Sequence, residues 1–136
     1  MFVYEHPIRV RYGDTDQMGY VYYGNYAYYY EQARAEAIRA GGVSYKEIEE
    51  SGTMMPITRM NIKYIAPAYY DELLTIKTII PQMPGRIIIF QYEVYNQNKT
   101  LINEGETHLI FIDVNTKKIK TAPQMLIEKL KPYFKL

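Results

Sequence analysis

Apolar and polar residues alternate at the start of the chain and again along most of its second half. An alternation with a period of two residues is typical of a strand that buries one face. It predicts a first strand over residues 8–12 and four later strands over 58–64, 74–80, 88–94 and 101–114. Short turns separate the later strands, so we expect one antiparallel meander of four strands, with the first strand added to it.

Between the first two strands the pattern takes the period of a helix. From Asn25 onward, tyrosines and then alanines recur at steps of three and four, and the pattern ends at two consecutive glycines. This predicts a helix of about four turns. Ser44 and Glu47 have the spacing of a capping box and predict a short second helix, and Pro123 predicts a short terminal helix.

The predicted fold class is therefore α+β, in one domain over residues 1–136, with a five-stranded antiparallel sheet around one long central helix. One helix covers only part of such a sheet, so edge strands and apolar margins stay open. Pairing with a second copy through an edge is the usual solution, and we expect a homodimer.

The amino-acid composition argues against several classes of function. The 16 basic and 15 acidic residues give a net charge of +1, which argues against binding to nucleic acid or to an anionic membrane. The chain has no cysteine, so it contains no disulfide and no thiol nucleophile. We see neither an apolar run long enough for membrane insertion nor a signal peptide, and we expect a cytoplasmic protein.

The junction between the first strand and the long helix combines residues suited to chemistry. Asp14 and Asp16 lie there, followed by Gly19, close to a helix N-terminus whose N–H groups are unpaired. One interpretation is that both aspartates only form the turn. The other is that a carboxylate acts as general base on water, or as nucleophile toward an activated acyl group such as a thioester.

Other chemistries lack residues. The two serines, Ser44 and Ser51, lie beside helix and turn signals, and the motif G-x-S-x-G is absent. The two histidines, His6 and His108, have no ligand spacing to a second histidine, so no metal site is predicted. No GxGxxG or P-loop motif occurs, and we expect no cofactor.

Tyrosine is unusually frequent, with 16 residues, and seven of them lie between Tyr20 and Tyr30. We expect Tyr26 and Tyr30 to fill the core under the sheet. The others are candidates to line a groove. Stacking on nucleic acid is the alternative use, and the near-zero net charge argues against it.

The junction resembles the hot-dog fold acyl-CoA thioesterases, in the group that unites the YbgC-like proteins and the 4-hydroxybenzoyl-CoA thioesterases. The motif of that family, Y-x-D-T-D-x-x-G-x-V-Y, is matched by Tyr12, Asp14, Thr15, Asp16, Gly19, Val21 and Tyr22. Further similar segments are 30–36, 64–68 with Asp71, and 103–106. The resemblance therefore extends over nearly the whole chain.

This resemblance implies dimers joined edge to edge, often paired into tetramers, with active sites at the dimer interface. It implies that Asp16 is the catalytic carboxylate and that Asp14 shapes the turn. The N–H of Tyr23 corresponds to the donor that polarises the thioester carbonyl, and Tyr12 matches a tyrosine that assists. Many YbgC-like members have histidine at the position of Tyr23, whereas the hydroxybenzoyl branch has tyrosine there.

The predicted function is hydrolysis of an acyl-CoA thioester to a free acid and CoA. Seven further residues are predicted to bind substrate: Gly19, Val21, Tyr22 and Asn25 at the junction, and Arg59, Lys63 and Arg86 at the CoA phosphates. Two alternatives stay open, namely action on acyl carrier protein and a non-catalytic dimer that binds acyl-CoA or lipid. The acyl chain and the choice between homodimer and homotetramer also stay open.

Overall fold

The computed structural model describes residues 1–134, in which an antiparallel sheet packs on a long helix. The strands are β1 (Phe2–Arg9), β2 (Thr53–Met54), β3 (Ile57–Tyr64), β4 (Leu73–Ile80), β5 (Ile87–Tyr95), β6 (Leu101–Asp113) and β7 (Ile119–Lys120). The helices are α1 (Asn25–Ala40), α2 (Tyr45–Glu50) and α3 (Gln124–Leu130), with 3-10 turns at Tyr12–Asp14 and Lys131–Tyr133. The α+β class is therefore confirmed.

The strand count in the predicted fold is wrong. The sheet has seven strands and not five, because β2 and β7 add two residues each at the end of β6. The two short helices predicted from the sequence are present beside α1, so one long helix and the sheet do not make up the whole fold. The sequence pattern cannot show two-residue strands, because a period of two needs several residues to be visible.

The predicted meander is also wrong at one strand. The sheet runs β1, β4, β5, β6, and β3 pairs with β6 on its far side, as in the pair Met60 and Thr107. β1 takes the place beside β4, where Ile8 faces Leu74. The segment between β3 and β4 is not a tight hairpin turn, since Asp71 N–H donates to the carbonyl of Val10 and holds this segment against the exit of β1.

The first strand begins and ends earlier than predicted. It spans Phe2–Arg9, and Tyr12 lies beyond it in a 3-10 turn with 80 % of its surface exposed. Pro7 is compatible with this strand because β1 is at the edge of the sheet, where a missing N–H donor is tolerated.

Helix α1 agrees with its prediction and packs its tyrosine and alanine face on the sheet. Tyr26 and Tyr30 are buried, and the ring of Tyr30 stacks on Tyr92 at 4.1 Å between centroids. The helix ends before Gly42, whose φ of +110° lies in the left-handed region that favours glycine. Sequence analysis missed one polar residue on this buried face, Arg34.

The short helices also begin where expected. Ser44 Oγ accepts a hydrogen bond from Glu47 N at 3.1 Å, and Glu47 Oε1 accepts one from Ser44 N at 3.1 Å, which completes the capping box. Helix α3 follows Pro123 directly. Within residues 1–134, no helix has both the length and the apolar composition needed to span a membrane.

Strand β3 differs from the other long strands because none of its eight residues is buried. β4 and β5 alternate between buried and partly exposed positions, as central strands do. The exposed residues at β3 include Ile57, Met60 and Tyr64, followed by Ile65. The sheet therefore ends in an open, partly apolar edge at β3.

Candidate functional site

The segment between β1 and α1 folds back on itself and carries the first of the site residues. Thr15 and Val21 form an antiparallel bridge, and Asp16 N donates to the carbonyl of Tyr20 at 2.8 Å. Gly19 lies at the tip of the turn with φ +80°, and its N–H donates to the carbonyl of Asp16 at 3.0 Å. A glycine is needed there because other residues rarely adopt this φ.

The turn holds the carboxylate of Asp16 through main-chain groups. Oδ1 accepts hydrogen bonds from Met18 N at 2.9 Å and from Tyr20 N at 3.3 Å. Oδ2 accepts none from residues 1–134, and the side chain is only half-buried. One oxygen is thus fixed by the protein and the other is available to a ligand or a water molecule.

Asp14 is bound to its surroundings in a different way. Its Oδ2 accepts hydrogen bonds from Tyr29 Oη at 2.8 Å and from Arg11 N at 3.0 Å. Its carbonyl accepts from Tyr22 N and from Asn25 Nδ2. The bonds from Tyr22, Asn25 and Tyr29 join the turn to α1 and to the residues just before it, so the contacts of Asp14 fit a structural role.

A groove of about 300 Å³ opens beside Asp16 and is mainly apolar. We call it the tyrosine groove; it is lined by Asp16, Met18, Tyr20, Val21, Tyr23, Tyr26, Tyr64, Ile65, Ala66 and Pro67. The Tyr64 ring lies nearly perpendicular to Tyr23 and Tyr26, with centroids 6.4 and 5.6 Å away. Burial, with smaller contributions from Tyr64 and Glu72, raises the pKa of Tyr26 to about 12.

Tyr23 contributes both its ring and its main chain to the groove. The Tyr64 hydroxyl donates to the carbonyl of Tyr23 at 3.1 Å, which fixes this peptide near the start of α1. The N–H of Tyr23 donates to no acceptor within residues 1–134. It is therefore free to donate to a ligand at the positive end of the helix.

The structure brings three of the predicted junction residues together in the tyrosine groove: Asp16, Val21 and Tyr23. Gly19 and Tyr22 do not line it. Asn25 does not either, since its Nδ2 is bound to Asp14. Tyr12 is also outside, with its ring edge-on to Tyr70 at 5.7 Å.

The three predicted cations lie away from the groove. Arg59 is exposed on β3 beside His108, and Lys63 shares a polar depression on the sheet with Glu104. Arg86 is exposed in the connection between β4 and β5. Within residues 1–134, no group of three or more histidine, aspartate and glutamate side chains could hold a metal ion.

Sequence analysis missed the second wall of the groove, which Tyr64, Ile65, Ala66 and Pro67 supply. The signal was present, because segment 64–68 stood out as family-like, but it carried no assigned role. Its place opposite Asp16 depends on the pairing of Tyr20 with Tyr69, a contact between residues far apart in sequence.

The chain matches a family model described as the thioesterase-like superfamily over residues 10–130. It is similar to the acyl-CoA thioester hydrolase YbgC of Escherichia coli O157:H7, with 33% identity over 125 residues that cover 92% of this chain and 93% of the relative. It is also 33% identical over 118 residues to a putative acyl-CoA thioesterase, YneP, of Bacillus subtilis, with 87% of this chain and 86% of the relative covered.

A solved structure of a thioesterase is similar to this chain in its three-dimensional fold. The DHNA-CoA thioesterase from Staphylococcus aureus superimposes with a TM-score of 0.83 at 33% identity. The match covers 98% of this chain and 85% of that one.

Proposed function

The chain belongs to the thioesterase-like superfamily, and we propose from this premise that it hydrolyses an acyl-CoA thioester to a free acid and CoA with Asp16 as the reacting carboxylate. The YbgC-like relatives support the reaction class, and the α+β architecture agrees with the hot-dog fold that this family implies. Asp16 is supported by its position in the tyrosine groove and by its unbonded Oδ2.

In this proposal the acyl chain lies in the tyrosine groove and the thioester carbonyl accepts a hydrogen bond from Tyr23 N–H. The positive end of α1 then stabilises the negative charge that develops on the carbonyl oxygen. Tyr64 supports this step, because its hydroxyl holds the carbonyl of the Tyr23 residue.

Asp16 has two ways to complete the reaction. As general base, Oδ2 takes a proton from water, the water oxygen bonds to the carbonyl carbon, and the C–S bond breaks as the proton passes to the thiolate. As nucleophile, Oδ2 bonds to the carbonyl carbon and expels the thiolate, and water then cleaves the resulting anhydride. Both routes need the free oxygen that the main chain leaves on Asp16.

The observation that carries the proposal is the carboxylate of Asp16 fixed by two N–H groups at the wall of an apolar groove. Its test is release of free CoA from a panel of short aliphatic, long aliphatic and aromatic acyl-CoAs. We expect Asp16→Asn to lower turnover roughly 10²–10⁴-fold while acyl-CoA still binds. Full turnover in a folded Asp16→Asn variant would refute the role of Asp16.

Asp71→Asn is the matched control. Asp71 is an exposed aspartate outside the groove whose φ of +68° asparagine adopts readily. We expect its turnover to equal that of the natural chain. Binding of acyl-CoA without turnover on any substrate would instead favour the non-catalytic alternative, and faster reaction with acyl carrier protein would identify that protein as the thioester donor.

We further propose that a second copy covers the open edge at β3. The tyrosine groove adjoins this edge, because Tyr64 ends β3 and Ile65 follows it, and both are exposed. Pairing there would bury Met60 and close the groove on one side. Sedimentation equilibrium tests this: we expect a dimer or a tetramer for the natural chain and smaller species for Met60→Lys, whereas a monomeric natural chain would refute it.

The predicted roles of the three cations depend on that second copy. Arg59 and Lys63 lie on β3, so an edge-to-edge dimer would bring both close to the partner. Together with Arg86 they stay candidates for the CoA phosphates. Arg59→Gln and Lys63→Gln should raise the KM for acyl-CoA but not for the matching acyl-pantetheine, which lacks the nucleotide phosphates.

Three further expectations from the sequence stay predictions. These are one domain over residues 1–136, a cytoplasmic location, and assistance by Tyr12. Tyr12 would have to act from outside the groove of its own chain, since its ring packs on Tyr70. Measuring turnover of Tyr12→Phe in the assembled oligomer tests that role.

A further inference from the structure

Arg34 is a charged residue in an unusual place on α1. Only 6% of its surface is exposed, although arginine is rarely buried without a partner. Its Nε donates a hydrogen bond of 3.1 Å to Tyr45 Oη, and this phenol oxygen is a neutral partner. Its Nη1 is buried and has no acceptor within residues 1–134. No carboxylate of the described chain lies within ion-pair distance of it.

A cavity of about 80 Å³ lies against this guanidinium. Helix α2, the segment around β2, and β6 form its other walls, and their polar residues there are Tyr45, Glu49 and Thr53. Thr53 is fully buried, whereas Glu49 is exposed. None of the cavity residues lines the tyrosine groove, so the cavity is separate from the proposed active site.

The charge of Arg34 persists in the folded chain. Burial lowers the pKa of the guanidinium, but the phenol oxygens of Tyr45 and Tyr92 raise it by more, so the net shift is upward. A buried positive charge without a negative partner is costly, and neutral hydrogen-bond acceptors reduce this cost only in part. The cavity is therefore a place where an anion would be favoured over a neutral molecule.

We propose that this cavity binds one small monovalent anion, of the size of a halide or nitrate, with the guanidinium group of Arg34 as its principal donor. The volume excludes a whole CoA or nucleotide molecule. The Tyr45 hydroxyl is the second donor on the cavity wall, because it accepts from Arg34 Nε and its own proton has no acceptor within residues 1–134. The bound anion would join α1 to α2 and β2, elements that come from three separate segments.

Thermal unfolding in sodium bromide, with sodium gluconate at the same ionic strength as reference, tests the proposal. Gluconate is too large for the cavity, so the difference between the two salts isolates entry of the small anion. We expect Tm to rise by about 5 °C when bromide exceeds its Kd tenfold, and to keep rising with the logarithm of the bromide concentration. The same rise should be absent in Arg34→Met, which keeps an unbranched apolar side chain in place of the arginine stem and removes the charge.

Three results would overturn the proposal. Equal Tm values in both salts would mean that Arg34 needs no anion, and an equal bromide effect in Arg34→Met would mean that bromide acts elsewhere. Glu49→Gln tests whether the partner of Arg34 is a carboxylate of the chain itself and not an anion from solution. If only this variant responds to bromide, the carboxylate of Glu49 neutralises Arg34 in the natural chain. The proposal then fails. Anomalous scattering from crystals grown in bromide locates the ion directly, without any variant, and we expect a bromide peak in the cavity.

Discussion

The hydroxyl of Tyr29 donates a 2.8 Å hydrogen bond to Oδ2 of Asp14 and so joins the buried face of α1 to the turn that carries Asp16. Burial, and then this bond to the carboxylate, raise the pKa of Tyr29. The bond has a charged acceptor, which makes it stronger than a bond between neutral groups. The turn that carries Asp16 is thus anchored to the core through Tyr29.

Removing this anchor should weaken both stability and turnover. We expect Tyr29→Phe to lower the free energy of unfolding by about 1–3 kcal/mol, because Asp14 loses a buried donor. Turnover should fall less than in Asp16→Asn, since the carboxylate of Asp16 keeps its own N–H donors. Urea unfolding and CoA release measure the two effects. Tyr28→Phe, at an exposed neighbour, is the control, and equal losses in both variants would contradict the role of the bond.

Tyr64 should act through the main chain of Tyr23. Tyr64→Phe keeps the ring against Tyr26 but removes the hydrogen bond to the carbonyl of Tyr23. We expect kcat to fall by about 2- to 10-fold, which corresponds to roughly 0.5–1.4 kcal/mol for one neutral hydrogen bond. Tyr133→Phe removes a hydroxyl of similar exposure elsewhere. A drop in kcat of the same size in that variant would show that the effect is not specific to the groove.

Gly105 should not accept a side chain. A Cβ there would lie 2.6 Å from Cε2 and Oη of Tyr30 and 2.7 Å from the carbonyl oxygen of Asn61, which belongs to the main chain of β3. Neither neighbour has room to shift, so Gly105→Ala should cost about 1–3 kcal/mol or more in urea unfolding. Gly85→Ala, where a Cβ meets nothing within 4 Å, should leave stability nearly unchanged.

Stability should fall steeply at alkaline pH because of the buried tyrosines. The pKa of Tyr26 is about 12 in the folded chain and about 10 when unfolded, so the folded state holds its proton longer. The contribution is complete below pH 10 and is lost as pH rises toward 12, at about 1.4 kcal/mol per pH unit. Burial also raises the pKa of Tyr30 and Tyr92, which adds to the slope.

Tyrosinate absorbance and circular dichroism, recorded together against pH, check this prediction. The buried tyrosines should ionise only as the chain unfolds. Tyr26→Phe should make the loss of stability above pH 10 shallower, whereas Tyr28→Phe should not. A single titration near pH 10 with unchanged circular dichroism would contradict the prediction.

Features that depend on neighbours in sequence were predicted well. Helix α1 and the capping box of α2 follow from residues three and four apart, and the structure confirms both. The turn that carries Asp16 was also predictable, because Gly19 is close to it in the chain.

Features that depend on contacts between distant residues were not predictable. The pairing of β3 with β6 instead of β4 joins residues far apart in the chain, such as Met60 and Thr107, and no local signal encodes it. The same holds for the placement of Tyr64 opposite Asp16. The burial of Arg34 was missed because a charged residue within a helix pattern is normally assigned to the solvent side.

Asp16 is held by N–H groups of residues 18 and 20, and every amino acid except proline supplies such a group. The side chains of Met18 and Tyr20 line the groove and have no part in holding the carboxylate. Mutations at these two positions can therefore reshape the acyl site while the carboxylate keeps its place. The protein can therefore change its substrate preference through substitutions at residues 18 and 20 while the position of the Asp16 carboxylate is kept.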